Sequence, residues 1–210
     1  MSDPRRDGRP LRVALTFDAE HPDRSWCPPG AIDTILDTLA ADAVRATFFV
    51  QGRWAQSQPA LARRISEDGH VVGHHSHYHA RMPLLSDVGI REDLRDGAEA
   101  IAAATGVDPR PWFRCPFGAG HEDARVLAAL DELGYREVGW HVELEDWEPH
   151  RDGASIAADA LAGIEAQGDG AVVLLHTWPG GTAEAIGPLL AGLGAAGVTA
   201  VTIDELGSLP

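Results

Sequence analysis

The sequence predicts an α/β fold in a single domain, with parallel strands arranged as a small or incomplete β/α barrel. Three observations carry the prediction. Short apolar runs alternate with stretches of helical spacing along the whole chain. Polar clusters stand where strands should end: Thr16-Phe17-Asp18-Ala19-Glu20, His75-Ser76-His77-Tyr78-His79, Arg114-Cys115-Pro116-Phe117, Glu143-Leu144-Glu145-Asp146-Trp147 and Leu174-Leu175-His176. In α/β folds the carboxyl ends of parallel strands converge on one rim, where active sites sit. Finally, 210 residues suit one core, and no linker, repeat or low-complexity block interrupts them. Residues 11–210 are read as the domain and 1–10 as a polar tail. A doubly wound open sheet is the alternative, because periodicity does not report closure.

The elements follow in order. Arg12 to Phe17 is short and apolar, as a buried parallel strand should be. Ile32, Ile35, Leu36 and Leu39 recur at helical spacing, and Ala46 to Val50 is the second strand. Pro59 opens a helix carrying Leu61, Ala62 and Ile65 and ending at Gly69. Val71-Val72 leads into the histidine cluster. Ser86 caps a helix carrying Val88, Leu94, Ala98 and Ile101 that stops at Gly106. Trp112 to Arg114 is the fourth strand, and Gly134 ends the helix of Val126, Leu127, Leu130 and Leu133. Glu137 to Trp140 is the fifth strand. Ser155 to Ala166 is helical, Ala171 to Leu175 a strand, Ala183 to Ala196 a helix, and Val198 to Ile203 a seventh strand. Strand, helix, strand repeated in this way implies right-handed crossovers.

Composition narrows the partners. The net charge of −15, from 17 basic and 32 acidic residues, argues against nucleic acid, anionic membranes or polyanionic wall polymers as the main partner. The first ten residues lack a secretory core, and nothing approaches the ~20 apolar residues that span a bilayer. A cytoplasmic location is the expectation, or secretion if a leader has been removed. Cys27 and Cys115 are expected to be free thiols, with a bridge between them as the alternative. Oligomeric state leaves no signature in the sequence.

The clusters suggest metal-assisted hydrolysis. Asp18 and Glu20 project to the same side of an extended strand end. Two close acids repel unless a cation neutralises them or their protonation differs. One metal-bound carboxylate beside one free base resolves that conflict, although solvated loop acids would share the pattern. His75 and His79, four apart, face the same way on a helical turn. With one carboxylate they make a His₂-carboxylate site that leaves a position open for water or substrate. His70, His74 and His77 crowd the same stretch and make an adventitious histidine patch the competitor. Arg114 suits pairing with Asp18. Asp146 suits orienting a histidine, Trp147 walling a pocket, and His176 protonating a leaving amine as general acid. A core histidine and an acidic solvated loop are the plainer alternatives.

The order and content of the five clusters resemble the polysaccharide deacetylases, carbohydrate esterase family 4 (the NodB homology domain). Thr16-Phe17-Asp18 resembles the start of the first family motif, and His75-Ser76-x-x-His79 matches the second. Arg114-x-Pro116-Phe117, Asp146-Trp147 and Leu174-x-His176 are similar to the third, fourth and fifth. The resemblance implies a distorted (β/α)₇ barrel that hydrolyses N-acetyl or O-acetyl groups on sugars with a divalent cation, usually zinc. By position it makes Asp18 the general base paired with Arg114, and His176 the general acid oriented by Asp146. It makes His75 and His79 metal ligands, and Phe117, Trp147 and Leu174 substrate-binding residues. Its usual third metal ligand, an Asp directly after the base, is Ala19 here, so Glu20 is expected to take that place. Phe117 for the commoner tyrosine and Glu143 for the usual aspartate are milder departures.

The expected substrate is therefore an acetylated sugar or oligosaccharide. Two other readings stand beside it. One keeps the fold for a metal-independent hydrolase of cyclic imides, ureides or other amides, favoured by Ala19. The other is a non-catalytic carbohydrate-binding domain, against which Asp18, Arg114, Asp146 and His176 all argue.

Overall fold

The computed structural model describes residues 10–22 and 27–206. The tail expected over 1–10 lies outside the described residues except for Pro10. In chain order the elements are β1 (Arg12–Ala19), α1 (Ala31–Ala41), β2 (Thr47–Val50), α2 (Gly52–Ser57), α3 (Pro59–Glu67) and β3 (Val71–His74). There follow α4 (Asp87–Thr105), β4 (Trp112–Phe113), α5 (Ala124–Glu132), β5 (Arg136–Glu137), β6 (Val142–Glu143), α6 (Gly153–Gln167), β7 (Ala171–His176), α7 (Gly180–Ala196) and β8 (Thr199–Val201). Short 3₁₀ turns occupy Met82–Leu84, Pro116–Gly118 and Ile203–Glu205.

Contacts divide the chain into two units. One comprises Met1–Phe17, Pro22–Thr47 and Trp140–Pro210, and the other Asp18–His21 and Phe48–Gly139. In the first, the strand order is β8, β1, β7, β6. β1 and β8 run parallel with Arg12 opposite Thr199, and β6 and β7 run parallel with Glu143 opposite Leu174. Thr16 Oγ1 donates to the Val173 carbonyl at 2.6 Å, so the buried hydroxyl of β1 is satisfied across the sheet. All six residues of β7 are buried, as a strand covered on both faces requires. Helix α7 packs against α1 and α6.

In the second unit the order is β5, β4, β3, β2; β3, β4 and β5 run parallel, with His74 opposite Phe113 and Trp112 opposite Arg136. Its core gathers Met82, Ile90, Leu94, Phe113, Val126 and Leu130, each effectively out of water. Burying each large apolar side chain contributes about 1.5–3 kcal/mol. Ser86 caps α4 by accepting the Gly89 N–H at 3.1 Å, and Gly106, at φ +77°, ends it in the left-handed conformation.

Two expectations change. Glu137 to Trp140 is not one strand: β5 stops at Glu137, and β6 begins at Val142 as an eighth strand. The cause is Arg114, whose guanidinium takes the Val138 and Gly139 carbonyls at 3.1 Å each and withdraws them from any ladder. Nor do His75 and His79 lie on a helical turn. Ser76 and His79 have φ of +63° and +57°, and the intervening N–H groups bond to side chains instead of to carbonyls one turn back. Neither Cys27 nor Cys115 forms a disulfide, as expected; Cys115 is buried, and burial raises its pKa. Among the described residues no helix is long and apolar enough to cross a membrane.

Candidate active site

The second unit collects six of the expected residues. β1 delivers Asp18, and the residue after its end is Glu20; both side chains are buried. β3 hands over to the loop of His75 and His79. His75 Nε2 lies 3.4 Å from Asp18 Oδ2 and 3.4 Å from Glu20 Oε2, while His79 Nε2 lies 2.5 Å from Glu20 Oε2. Among the described residues Glu20, His75 and His79 form a group that could hold a metal ion, their ligand atoms all within 4.8 Å of one another. His70 and His74 turn to other work, packing against Phe48 and against Phe113 and Tyr135.

The donor set fits a divalent cation on its own chemistry. His75 Nδ1 lies 2.9 Å from the Arg114 carbonyl oxygen, which places the proton on Nδ1 and leaves the Nε2 lone pair for a metal. Two imidazole nitrogens and one carboxylate oxygen match zinc and its neighbours in the first transition row. The local field draws in positive charge. Burial alone would lower the His75 pKa, but Asp18, Glu20 and the Arg114 carbonyl together outweigh it and raise it.

Arg114 is fully buried and fully used. One terminal nitrogen donates to Asp18 Oδ1 at 3.0 Å, Nε and the other donate to the two carbonyls named above, and the plane lies 4.1 Å from the Phe49 ring centre. Burial pulls its pKa down against the opposing pull of Asp18. Three acceptors and an aromatic face hold the fork in one orientation, so Asp18 is held too.

The loop of His75 and His79 is itself held by a residue that motif reading does not reach. Asp93 of α4, only 3% exposed, accepts the His77 N–H at 2.9 Å on one oxygen and the Tyr78 N–H at 3.0 Å on the other. Ser76 Oγ accepts the His79 N–H at 2.9 Å. A signal for Asp93 exists in the sequence: it is an acid on the stripe Ile90, Leu94, Gly97, Ile101 that α4 buries. Phe117, half exposed and at φ +57°, packs its ring 4.5 Å from that of His79.

The first unit collects the others. His176 ends β7. Its Nδ1 lies 2.7 Å from Asp146 Oδ1, and its backbone N–H donates to Asp146 Oδ2 at 2.8 Å. Thr182 Oγ1 donates to the same Oδ2 at 2.6 Å. Asp146 is thus fixed by three donors and fixes the imidazole in turn, with the Nδ1 proton toward the carboxylate and Nε2 turned away from it. Trp147 meets the His176 ring edge to face at 5.1 Å, and Trp178 lies 5.7 Å away on a tilted plane. Leu174, buried, shares a face of β7 with His176, two residues on. Thr182 and Trp178 carry no motif signal of their own; the fold brings Thr182 to Asp146, 36 positions away, whereas Trp178 follows His176 two residues on.

With this geometry in view, the sequence profile of the polysaccharide deacetylases matches residues 5–138. The chain belongs to the polysaccharide deacetylase family. It is 32% identical over 195 residues to the peptidoglycan-N-acetylmuramic acid deacetylase PdaA of Bacillus subtilis, covering 92% of this chain and 70% of that protein. It is 35% identical to the peptidoglycan-N-acetylglucosamine deacetylase PgdA of Listeria monocytogenes, of which it spans only 38%. A family 4 carbohydrate esterase from Streptomyces lividans, solved with acetate, superposes at TM-score 0.78 and 29% identity over 90% of this chain and 91% of its own. A mutant of a family pseudoenzyme with restored activity superposes at 0.83, with 29% identity, over 94% of this chain and 67% of its own. The fold class is therefore the α/β, (β/α)₇-barrel class of this family, whose deacetylases are hydrolases of non-peptide carbon–nitrogen bonds.

Proposed function

We propose that this polysaccharide deacetylase homologue removes acetyl groups from N-acetylated amino sugars or their oligosaccharides with the help of a divalent cation, zinc before others. O-acetyl groups are the secondary target. The observation that carries the reading is the convergence of Glu20, His75 and His79 beside an Asp18 that Arg114 holds in place. The peptidoglycan deacetylases among its relatives support an acetylated amino sugar as the substrate class.

The residue roles follow from the contacts and the family resemblance. Glu20, His75 and His79 would hold the cation, which would supply Lewis-acid polarisation of the acetyl carbonyl and of a water. Asp18 is the general base for the attacking water, its carboxylate kept in position by Arg114. His176 gives a proton from Nε2 to the departing amine, and Asp146 and Thr182 hold its ring for that transfer. The backbone N–H near Phe117 is an added donor for the developing oxyanion. Trp147 and Leu174 supply apolar surface for the acetyl methyl.

The test pairs metal content with turnover. Protein stripped by chelator and reloaded should retain about one zinc per chain and release acetate from chitooligosaccharides. Asp18→Asn should abolish acetate release while zinc stays bound. A specific departure favours one second reading: Ala19 occupies the position of the usual metal-binding aspartate. If acetyl or amide hydrolysis survives complete chelation, the fold serves a metal-independent amide or imide hydrolase and the proposal falls.

A further inference from the structure

All 17 basic residues of the chain are arginines, set among 32 acids, and most described arginines lie against a carboxylate. Arg45 pairs with Glu205, Arg91 with Glu132, Arg125 with Asp87 and Arg151 with Asp159. Arg81 does not. Its guanidinium stacks 4.3 Å from the Phe117 ring centre, and among the described residues no carboxylate comes within ion-pair distance of it. Phe117 in turn packs 4.5 Å from the ring of His79. Two successive contacts therefore run from a candidate metal ligand to an unneutralised cation.

The stack is built at some cost. Phe117 is 49% exposed and sits at φ +57°, a conformation that bulky residues seldom adopt. The 3₁₀ turn holds it there through the Gly118 N–H, which donates to the Cys115 carbonyl at 3.0 Å. A guanidinium lying flat on a ring keeps its N–H donors in its own plane, directed outward and matched to the two oxygens of a carboxylate. The ring also restricts the side chain before a ligand arrives, which lowers the entropy cost of binding. Arg53 repeats the device 5.8 Å over the ring of Tyr78, itself 58% exposed.

We infer that Arg81 on its Phe117 platform is an anion subsite beside the candidate metal centre, and that the favoured substrate is an acetylated amino sugar bearing a carboxylate. The inference rests on the deacetylase reading for the acetyl group and on the stack for the carboxylate. The net charge of −15 disfavours polyanions at long range, so the subsite selects a single carboxylate near the reacting acetamide and not a charged polymer.

Binding, read by calorimetry on the zinc-loaded full chain, separates this inference from the deacetylase reading. The probes are a chitooligosaccharide and its carboxymethyl derivative of equal length. The carboxylated ligand should bind about tenfold more tightly, the scale of a charge-assisted hydrogen-bonded pair. In Arg81→Gln the ratio of affinities should fall toward one. Arg81→Lys, which keeps the charge and loses the fork, should fall between. Arg63→Gln, an equal change of net charge at another exposed arginine, should leave the ratio as it is. Equal affinities in the unaltered protein, no measurable binding of either ligand, or a ratio that persists in Arg81→Gln overturns the inference. A ratio that behaves as described while neither ligand is deacetylated upholds it and overturns the deacetylase reading.

Discussion

Asp93 should decide whether the two-histidine loop keeps the shape that brings His75 and His79 to Glu20. Its two oxygens accept the backbone N–H groups of His77 and Tyr78, and the carboxylate is 3% exposed. In Asp93→Asn one oxygen becomes an NH₂ group facing a backbone donor, so at least one N–H loses its acceptor. A buried donor left without a partner costs about 1–3 kcal/mol. The metal-free variant should lose about that much stability in urea, with an unchanged slope. Zinc affinity, measured by competition with a chelator, should fall about 10–100-fold, the usual range when a group supporting metal ligands is altered. Asp93→Ala removes both acceptors and should weaken each quantity further. Zinc affinity within twofold of the unaltered protein, in an Asp93→Asn variant that is measurably less stable, would refute the argument. The aspartate would then support the fold without positioning the ligands.

Three further outcomes follow from other contacts. Thr182→Val removes the hydroxyl that donates to Asp146 Oδ2 at 2.6 Å, and should lower kcat/KM for acetate release about tenfold while zinc content stays constant. Gly97→Ala would drive a methyl group into the His74 ring, so the melting temperature should drop by the equivalent of about 1–3 kcal/mol of overpacking. The His74 pKa is lowered from 6.5 to about 3, first by burial and then by the charges of His75, His77 and Arg110. Above about pH 6.5 His74 is neutral in both folded and unfolded chains; below it, only the unfolded chain takes the proton. Measured without metal and relative to His74→Leu, the protein should therefore lose up to about 1.4 kcal/mol per pH unit as pH falls from about 6.5 toward 3. A stability difference that does not vary with pH would show that the ring is not held neutral.

The strand and helix alternation was legible because each element declares itself locally: β7 as five apolar residues before His176, α4 between Ser86 and Gly106. Where a distant side chain intervened, local reading failed. Arg114 takes the carbonyls of Val138 and Gly139 and cuts the strand expected over 137–140 short at Glu137, and no pattern within those residues announces that. The six-residue helix α2 (Gly52–Ser57) was also missed, being too short to show a period.

Site residues show the same division. Sequence alone determined which side chains were available and in what order: Asp18 and Glu20 two apart on a strand end, His75 and His79 four apart, and a late His176. It also pointed to a hydrolase, the class to which the family match assigns the chain. Only the tertiary structure decided how His75 and His79 come to face Glu20. They do so through left-handed residues at 76 and 79 and a carboxylate from α4, instead of through the helical turn that their spacing suggested. It alone brought Thr182 to Asp146 and laid Arg81 over Phe117. The physical reason is range. Spacing and propensity act over one turn or one strand, whereas these contacts join residues 15 to 36 positions apart and form only after the elements have packed.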